Sequence, residues 1–267
     1  MESNRSGNFL PLLRTEVDRM KRTSTWAVVT AVVLLAAACG DAGSGAAIMT
    51  ARSNSAGLAA SRNAPIPEFT APTQITNRYF PLTELGGYDL AGHEEGQGYE
   101  AQIVVLDETK SITWAGGTTD TLVARHRSYL EGELIEVAMD YYAQGDDGSV
   151  WYFGEDVTYY EQGKVTSHEG SWLTGQDDAL PGLLIPADPQ VGLVFWSEDV
   201  AAQGIQERNE IVEIAATIQT PAGPRADGLI IRAFQDDGTT EEKTYVPSLG
   251  VVLEVSEDSE LRLAMPA

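Results

Sequence analysis

The chain has 267 residues, 43% of them hydrophobic, with 17 basic and 40 acidic side chains and a formal net charge of −23. Residues 1–39 hold five of the basic and three of the acidic ones, so the remainder carries 12 basic and 37 acidic residues, a net of −25. A surface of that sign repels nucleic acid and anionic headgroups, which removes nucleic acid from the expected partners; the single cysteine, Cys39, removes any disulfide within the chain.

In chain order, the first segment with a recognisable pattern starts at Met20. It runs Met-Lys-Arg-Thr-Ser-Thr, then an apolar stretch of 13 residues from Trp26 to Ala38, then Cys39-Gly40. A positive start, a short apolar run and small residues before a cleavage point make a signal peptide. The run is too short for a bilayer span, which needs about 20 apolar residues. Residues 1–19 have no place in that template, so Met20 is the expected true start. The stretch Leu35-Ala36-Ala37-Ala38-Cys39 resembles the lipobox of bacterial lipoproteins. A leucine more commonly stands one position closer to the cysteine. The resemblance implies cleavage before Cys39, lipidation of its thiol, and a domain outside the cytoplasm attached to a membrane through lipid on Cys39. Two or more acyl chains make such attachment stable.

Residues 40–67 are rich in Ala, Gly, Ser and Asn and read as a flexible tether. Its mean reach is on the order of 30 Å by the square-root rule for flexible chains. Residues 68–267 then form one exported domain, about 200 residues and enough for a sizeable core.

From Thr76 onward there is almost no helical period. Short runs rich in Val, Ile, Thr and aromatics predict strands at Tyr99–Leu106, Thr119–Leu130, Leu134–Ala143, Val150–Phe153, Val157–Glu161, Gly192–Asp199, Glu210–Gln219, Gly228–Gln235, Thr240–Val246 and Val251–Val255. Glu131-Gly132, Gly145–Gly148, Gln162-Gly163, Pro221–Gly223 and Asp236–Gly238 supply hairpin turns between them. In the third run Val137, Met139, Tyr141 and Ala143 share one parity, and Ala138, Asp140, Tyr142 and Gln144 the other, which predicts one core face and one partly wet face. The fold class is therefore mainly all-β, a large curved antiparallel sheet or partly closed β-barrel of hairpin-connected strands. A short helix is expected within Gln176–Leu184, the least strand-like stretch.

Three segments resemble a family of uncharacterised bacterial secreted proteins and lipoproteins. They are Asn77–Leu82 with Gly86, Asp140–Gln144 continuing through Gly148–Asp156, and His168–Trp172 continuing to Leu180-Pro181-Gly182. The resemblance implies one β-rich exported domain and carries no catalytic residue over.

Chemistry-bearing patterns are sparse. With only His93, His126 and His168 and no ligand spacing, no metal site is expected. His126 stands between Arg125 and Arg127, a poor neighbourhood for a cation. Asp146-Asp147-Gly148 and Asp236-Asp237-Gly238 lack the ligand alternation of a calcium loop and read as turns. Gly96-Gln97-Gly98 precedes a strand rather than a helix, so it offers no phosphate cradle, and no cofactor is expected. Ser167 and His168, being neighbours, face apart in an extended chain, and Ser171 reaches His168 only through a bend. Asp140, Glu155, Asp156, His168 and Glu169 are the candidate catalytic residues, with the carboxylates able in principle to flank a glycosidic bond. Trp151, Tyr152 and Trp172 are the candidate binding residues.

The leading functional reading is a non-enzymatic binding module at the cell envelope, with an apolar small molecule or lipid as ligand. An envelope-assembly protein with a protein partner is the alternative. A hydrolase built on carboxylates near His168 is the third.

Overall fold

The computed structural model describes residues 65–235 and 237–264. The signal region, Cys39 and the tether up to residue 64 lie outside the described residues, as does Asp236.

The described chain is nearly all strand. One helical turn, α1 (Leu82–Leu85), is closed by Gly86, whose left-handed φ of 67° lets its N–H bond Leu82 O. The strands are β1 (Gly87–Glu94), β2 (Gln97–Trp114), β3 (Gly117–Leu130), β4 (Glu133–Gln144), β5 (Val150–Glu161), β6 (Lys164–Ser167), β7 (Trp172–Leu173), β8 (Gly182–Ile185), β9 (Val194–Val200), β10 (Ile205–Thr220), β11 (Gly223–Gln235), β12 (Thr240–Val246), β13 (Gly250–Val255) and β14 (Ser259–Leu263). They form a single antiparallel sheet of 14 strands in the order β6-β5-β4-β3-β2-β1-β14-β13-β12-β11-β10-β9, with β7 and β8 paired to the free side of β5. The expected curved sheet of hairpins is thus present, and it is not closed into a barrel.

Sharp turns set the registers. Glu131-Gly132 and Gln162-Gly163 take left-handed φ values of 49° and 80°, and 52° and 73°, the geometry of a two-residue hairpin that matches strand twist. Two predicted runs, Val150–Phe153 and Val157–Glu161, are one strand. Gly154 carries the chain between them at φ 122°, where a Cβ would meet Trp172 O at 2.3 Å. The helix expected within Gln176–Leu184 is absent. Asp177 and Asp178 sit at positive φ of 48° and 61°, which ends any helical turn, and the segment makes turns that lead into β8.

Residues 75–82 plug one end of the interior. Gln144 Oε1 accepts the N–H groups of Thr76 and Asn77 at 2.8 Å each, and Ser248 N–H bonds Arg78 O at 2.9 Å. The plug is thereby tied to the β4–β5 and β12–β13 connections. It inserts Ile75, Tyr79, Phe80 and Leu82 among Leu90, Ala101, Leu122, Val150, Phe195, Leu229 and Leu261. A second apolar layer covers the outside of β3–β5. Tyr141, Ala143, Trp151 and Phe153 pack there with Ile112 and Trp114 of the long β2–β3 hairpin and with Phe69.

That second layer inverts the sequence expectation for β4. Its apolar parity faces outward under the extra layer, and the Asp140 parity faces the interior. Asp140 is only 6% exposed.

The two ends of the sheet approach without a ladder: among the described residues no strand pairing joins β9 to β8. Their contact is close nonetheless, since a Cβ on Gly182 would fall 1.8 Å from Ser197 O. Gly182→Ala must push β8 off β9. It is expected to lose about 1–3 kcal/mol of stability, the usual range for overpacking, seen as a lowered urea midpoint at unchanged slope.

Candidate functional site

The inner face divides in two. Near the plug it is apolar. Toward the other end it carries His126 on β3, Glu136 and Asp140 on β4, Glu155 and Tyr159 on β5, Glu198 on β9, Glu207 on β10 and Gln235 on β11. Together with Tyr142 and Tyr152 these residues line a cavity of about 150 Å³. Glu241 and Lys243 on β12 and Glu254 on β13 stand beside it, with Lys243 opposite Glu254 in the ladder. Strand alternation builds this set. Glu136, Ala138 and Asp140 lie two apart, opposite Tyr159, Val157 and Glu155. Glu155 and Glu207 keep some accessible surface because they border this space.

Seven carboxylates therefore share one interior with one ammonium. Lys243 Nζ lies 3.2 Å from Glu241 Oε2. Burial would lower the charge state of Lys243, but Glu241, Glu207 and Glu254 outweigh it and hold the ammonium charged. Burial also acts against Glu207, yet Lys243 and hydrogen bonds from Ser197, Asn209 and Gln235 keep that carboxyl below its ordinary range. Gln235 Nε2 donates to Glu207 Oε2 at 2.7 Å and Asn209 Nδ2 to Glu207 Oε1 at 3.2 Å. This is a compensated group.

The other carboxyls are not compensated in that way. Burial pushes Glu136 up to about 7, with Asp140 adding to it. Burial raises Asp140 to about 7 against hydrogen bonds from Tyr152 and Tyr142. Glu155 is raised by burial and then by Glu198 and Asp140. Glu198 reaches about 8 through burial and Glu207. Glu254 reaches about 8 through burial and Glu241. Near neutral pH these carboxyls therefore keep protons that exposed ones would have lost, first because burial penalises their charge and then because neighbouring carboxylates add to it.

The tyrosines remain donors. Burial raises Tyr142 and Tyr152 far above their ordinary value, so their hydroxyls stay protonated. Tyr152 Oη donates to Asp140 Oδ1 at 3.0 Å. The rings of Tyr142 and Tyr152 stack with centroids 5.0 Å apart, and Trp172 packs edge-on against Tyr152 at 5.4 Å. His126 is neutral, lowered to about 4 by burial and by Lys243. Arg125 and Arg127, its sequence neighbours, belong to the opposite face of β3, so the reasoning that set His126 aside does not hold in three dimensions.

The sequence-derived candidates separate. Asp140 and Glu155 form a directly opposed pair in the cavity. Asp156, next along β5, faces outward, bonded to Tyr141 and to Lys110 Nζ at 2.9 Å. His168 and Glu169 lie in the exposed segment between β6 and β7. His168 Nδ1 sits 2.8 Å from Val157 O, and Ser171 Oγ donates to His168 O at 2.8 Å, so serine and imidazole are not aligned as nucleophile and base. Trp151 belongs to the outer layer, its indole N–H bonded to Ser149 Oγ at 2.7 Å, while Tyr152 and Trp172 lie on the cavity side. Glu136, Glu198, Glu207, Glu241, Lys243 and Glu254 did not emerge from sequence reasoning. Their only signal is charge at the parity that buries apolar neighbours, as in Glu241-x-Lys243-x-Tyr245. No group of three or more His, Cys, Asp or Glu side chains among the described residues is arranged to hold a metal ion.

No family model matches the chain, and no curated protein and no solved structure matches it.

Lys243→Met removes the one cation that lowers Asp140, Glu198, Glu207, Glu241 and Glu254. The expected loss at neutral pH is about 3–5 kcal/mol, the range for stranding buried charge. The loss is expected to shrink as pH falls and those carboxyls take up protons. Urea unfolding of both proteins across the pH range checks it.

Proposed function

We propose that the chain is an exported, lipid-anchored, non-enzymatic binding module whose ligand is a small organic amine held in the acid-lined cavity. The observation that carries this reading is a charge imbalance around a space. Lys243 is held chiefly by Glu241, Glu207 and Glu254 and reaches Asp140 and Glu198 only as a lesser influence, while Glu136, Asp140, Glu155, Glu198 and Glu207 line a cavity of about 150 Å³. An ammonium entering there would replace protons held by the carboxyls, donate hydrogen bonds to the carboxylates, and lie against tyrosine rings that attract cations through their faces. A space of this size holds a molecule of about six non-hydrogen atoms, the scale of benzene. The apolar half of the interior is filled by the plug, which supports a small polar ligand there.

Titration calorimetry with a four-carbon diamine near neutral pH tests the ligand class. Binding with release of protons is expected, read from the dependence of the heat on buffer ionisation, and it should weaken in Asp140→Asn. Absence of binding across short mono- and diamines would contradict the reading.

The anchor is supported by the segment from Met20 to Cys39. Metabolic labelling with a radiolabelled fatty acid is expected to mark the wild-type protein in a bacterial host and to leave Cys39→Ala unmarked; equal labelling of both would contradict it.

A second reading keeps an apolar ligand, favoured by a surface groove of about 630 Å³ lined by Leu85, Tyr88, Ile103, Val104, Leu249 and Leu263 at the plugged end. Native mass spectrometry of protein purified gently from its host membranes separates the two by the mass and class of any bound molecule.

A further inference from the structure

The carboxylates of the cavity do not come from one side of it. Asp140 and Glu155 belong to β4 and β5, and Glu198 and Glu207 to β9 and β10, which lie at opposite ends of the strand order. Between them runs the seam that no ladder closes. What holds the seam is Gly182 against Ser197, a hydrogen bond of 2.6 Å from Gln203 Nε2 to Asp177 Oδ2, a small apolar cluster of Tyr152, Trp172, Ala179, Val200 and Ile205, and, toward the plugged end, Ile185 of β8 and Phe195 of β9 in the main core. Elsewhere neighbouring strands in the order are joined by backbone ladders, some with bulges. Repulsion inside the cavity therefore acts on the weakest join in the structure.

We infer that this seam is a pH-sensitive gate: when the shared protons leave Glu155, Asp140 and Glu198, the β4–β5 arm and the β9–β10 arm part and the cavity opens. The inference rests on the proposed binding site only for what passes the gate; the opening itself needs no ligand.

The titratable groups that line the cavity or act on its carboxyls come from several elements. Glu136 and Tyr142 stand on β4, Tyr152 and Tyr159 on β5, His126 on β3, Trp172 on β7, Glu207 on β10, Glu241 and Lys243 on β12, and Glu254 on β13. Neutral His126 and the protonated tyrosines add no counter-charge, and Lys243 is held by its own three carboxylates. The acid side chains keep in the fold protons that the unfolded chain would have lost. Their stabilising effect is fully present in acid, is lost as pH rises from the ordinary carboxylate range to about 7 for Glu136 and Asp140 and to about 8 for Glu198, and changes no further above that.

Hydrogen exchange of the ligand-free domain across this range, corrected for the intrinsic pH dependence of exchange, tests the gate. The expected result is faster exchange in Trp172–Leu173, Gly182–Ile185 and Val194–Val200 on the alkaline side, with Gly87–Glu94 and Ser259–Leu263 still protected. The opening constant should rise about tenfold per pH unit for each proton lost. Glu155→Gln with Glu198→Gln should reduce the difference and leave the part due to Asp140 and Glu136; the wild-type series stands alone if that variant does not fold. Uniform loss of protection in all strands, or none in the seam, would overturn the gate. Amine binding with a closed seam would leave the binding reading intact and remove only the gate.

Discussion

The structure depends on how seven carboxylates are accommodated around one ammonium inside a curved sheet. Lys243 compensates part of the set, and shared protons and tyrosine hydroxyls compensate the rest. Folding alone does not account for such a cluster, because replacing buried ionic groups by apolar ones of similar volume is commonly neutral or stabilising. The apolar half of the interior, the plug of residues 75–82 and the outer layer over β3–β5 supply the hydrophobic burial that lets the polar half persist.

The same arrangement links fold to function. The sheet bends until its two ends face each other across the cavity, and each end brings acid groups to it. The site therefore belongs to the closure of the sheet rather than to a single loop or hairpin. A cation that bridges Asp140 or Glu155 to Glu198 would join the two ends, so binding and closure are one event in energetic terms. The outward group of Asp156, His168 and Glu169 takes no part in this.

Much of the fold was legible in the sequence. Alternating runs and Gly-containing turns marked β2–β5 and β9–β13, because a two-residue turn at Glu131-Gly132 or Gln162-Gly163 leaves a local trace. β1, β14 and the short strands β6–β8 were not marked. β6–β8 are only two to four residues long, too short for a pattern to show, and β1 and β14 are joined to each other across the chain, as in Gly92 opposite Leu261, a pairing that leaves no local trace. The site was half legible. Asp140 and Glu155 stood out beside aromatics, but which face of β4 is interior depends on the β2–β3 hairpin folding over its outside, a tertiary event. That contact turned an expected wet face into a cavity lining. His126 is masked in the sequence by Arg125 and Arg127, which strand geometry places on the other side of the sheet.

The most direct test of the account is a carboxyl titration of the folded domain by carbon-detected NMR with labelled Asp and Glu. The account expects separate resonances that titrate near 7 for Glu136 and Asp140 and near 8 for Glu198 and Glu254. Tyr152→Phe removes a hydrogen bond that lowers Asp140 and should shift that carboxyl further up. If every carboxyl titrates below about pH 5, as exposed side chains do, the interior holds no shared protons and the account is contradicted.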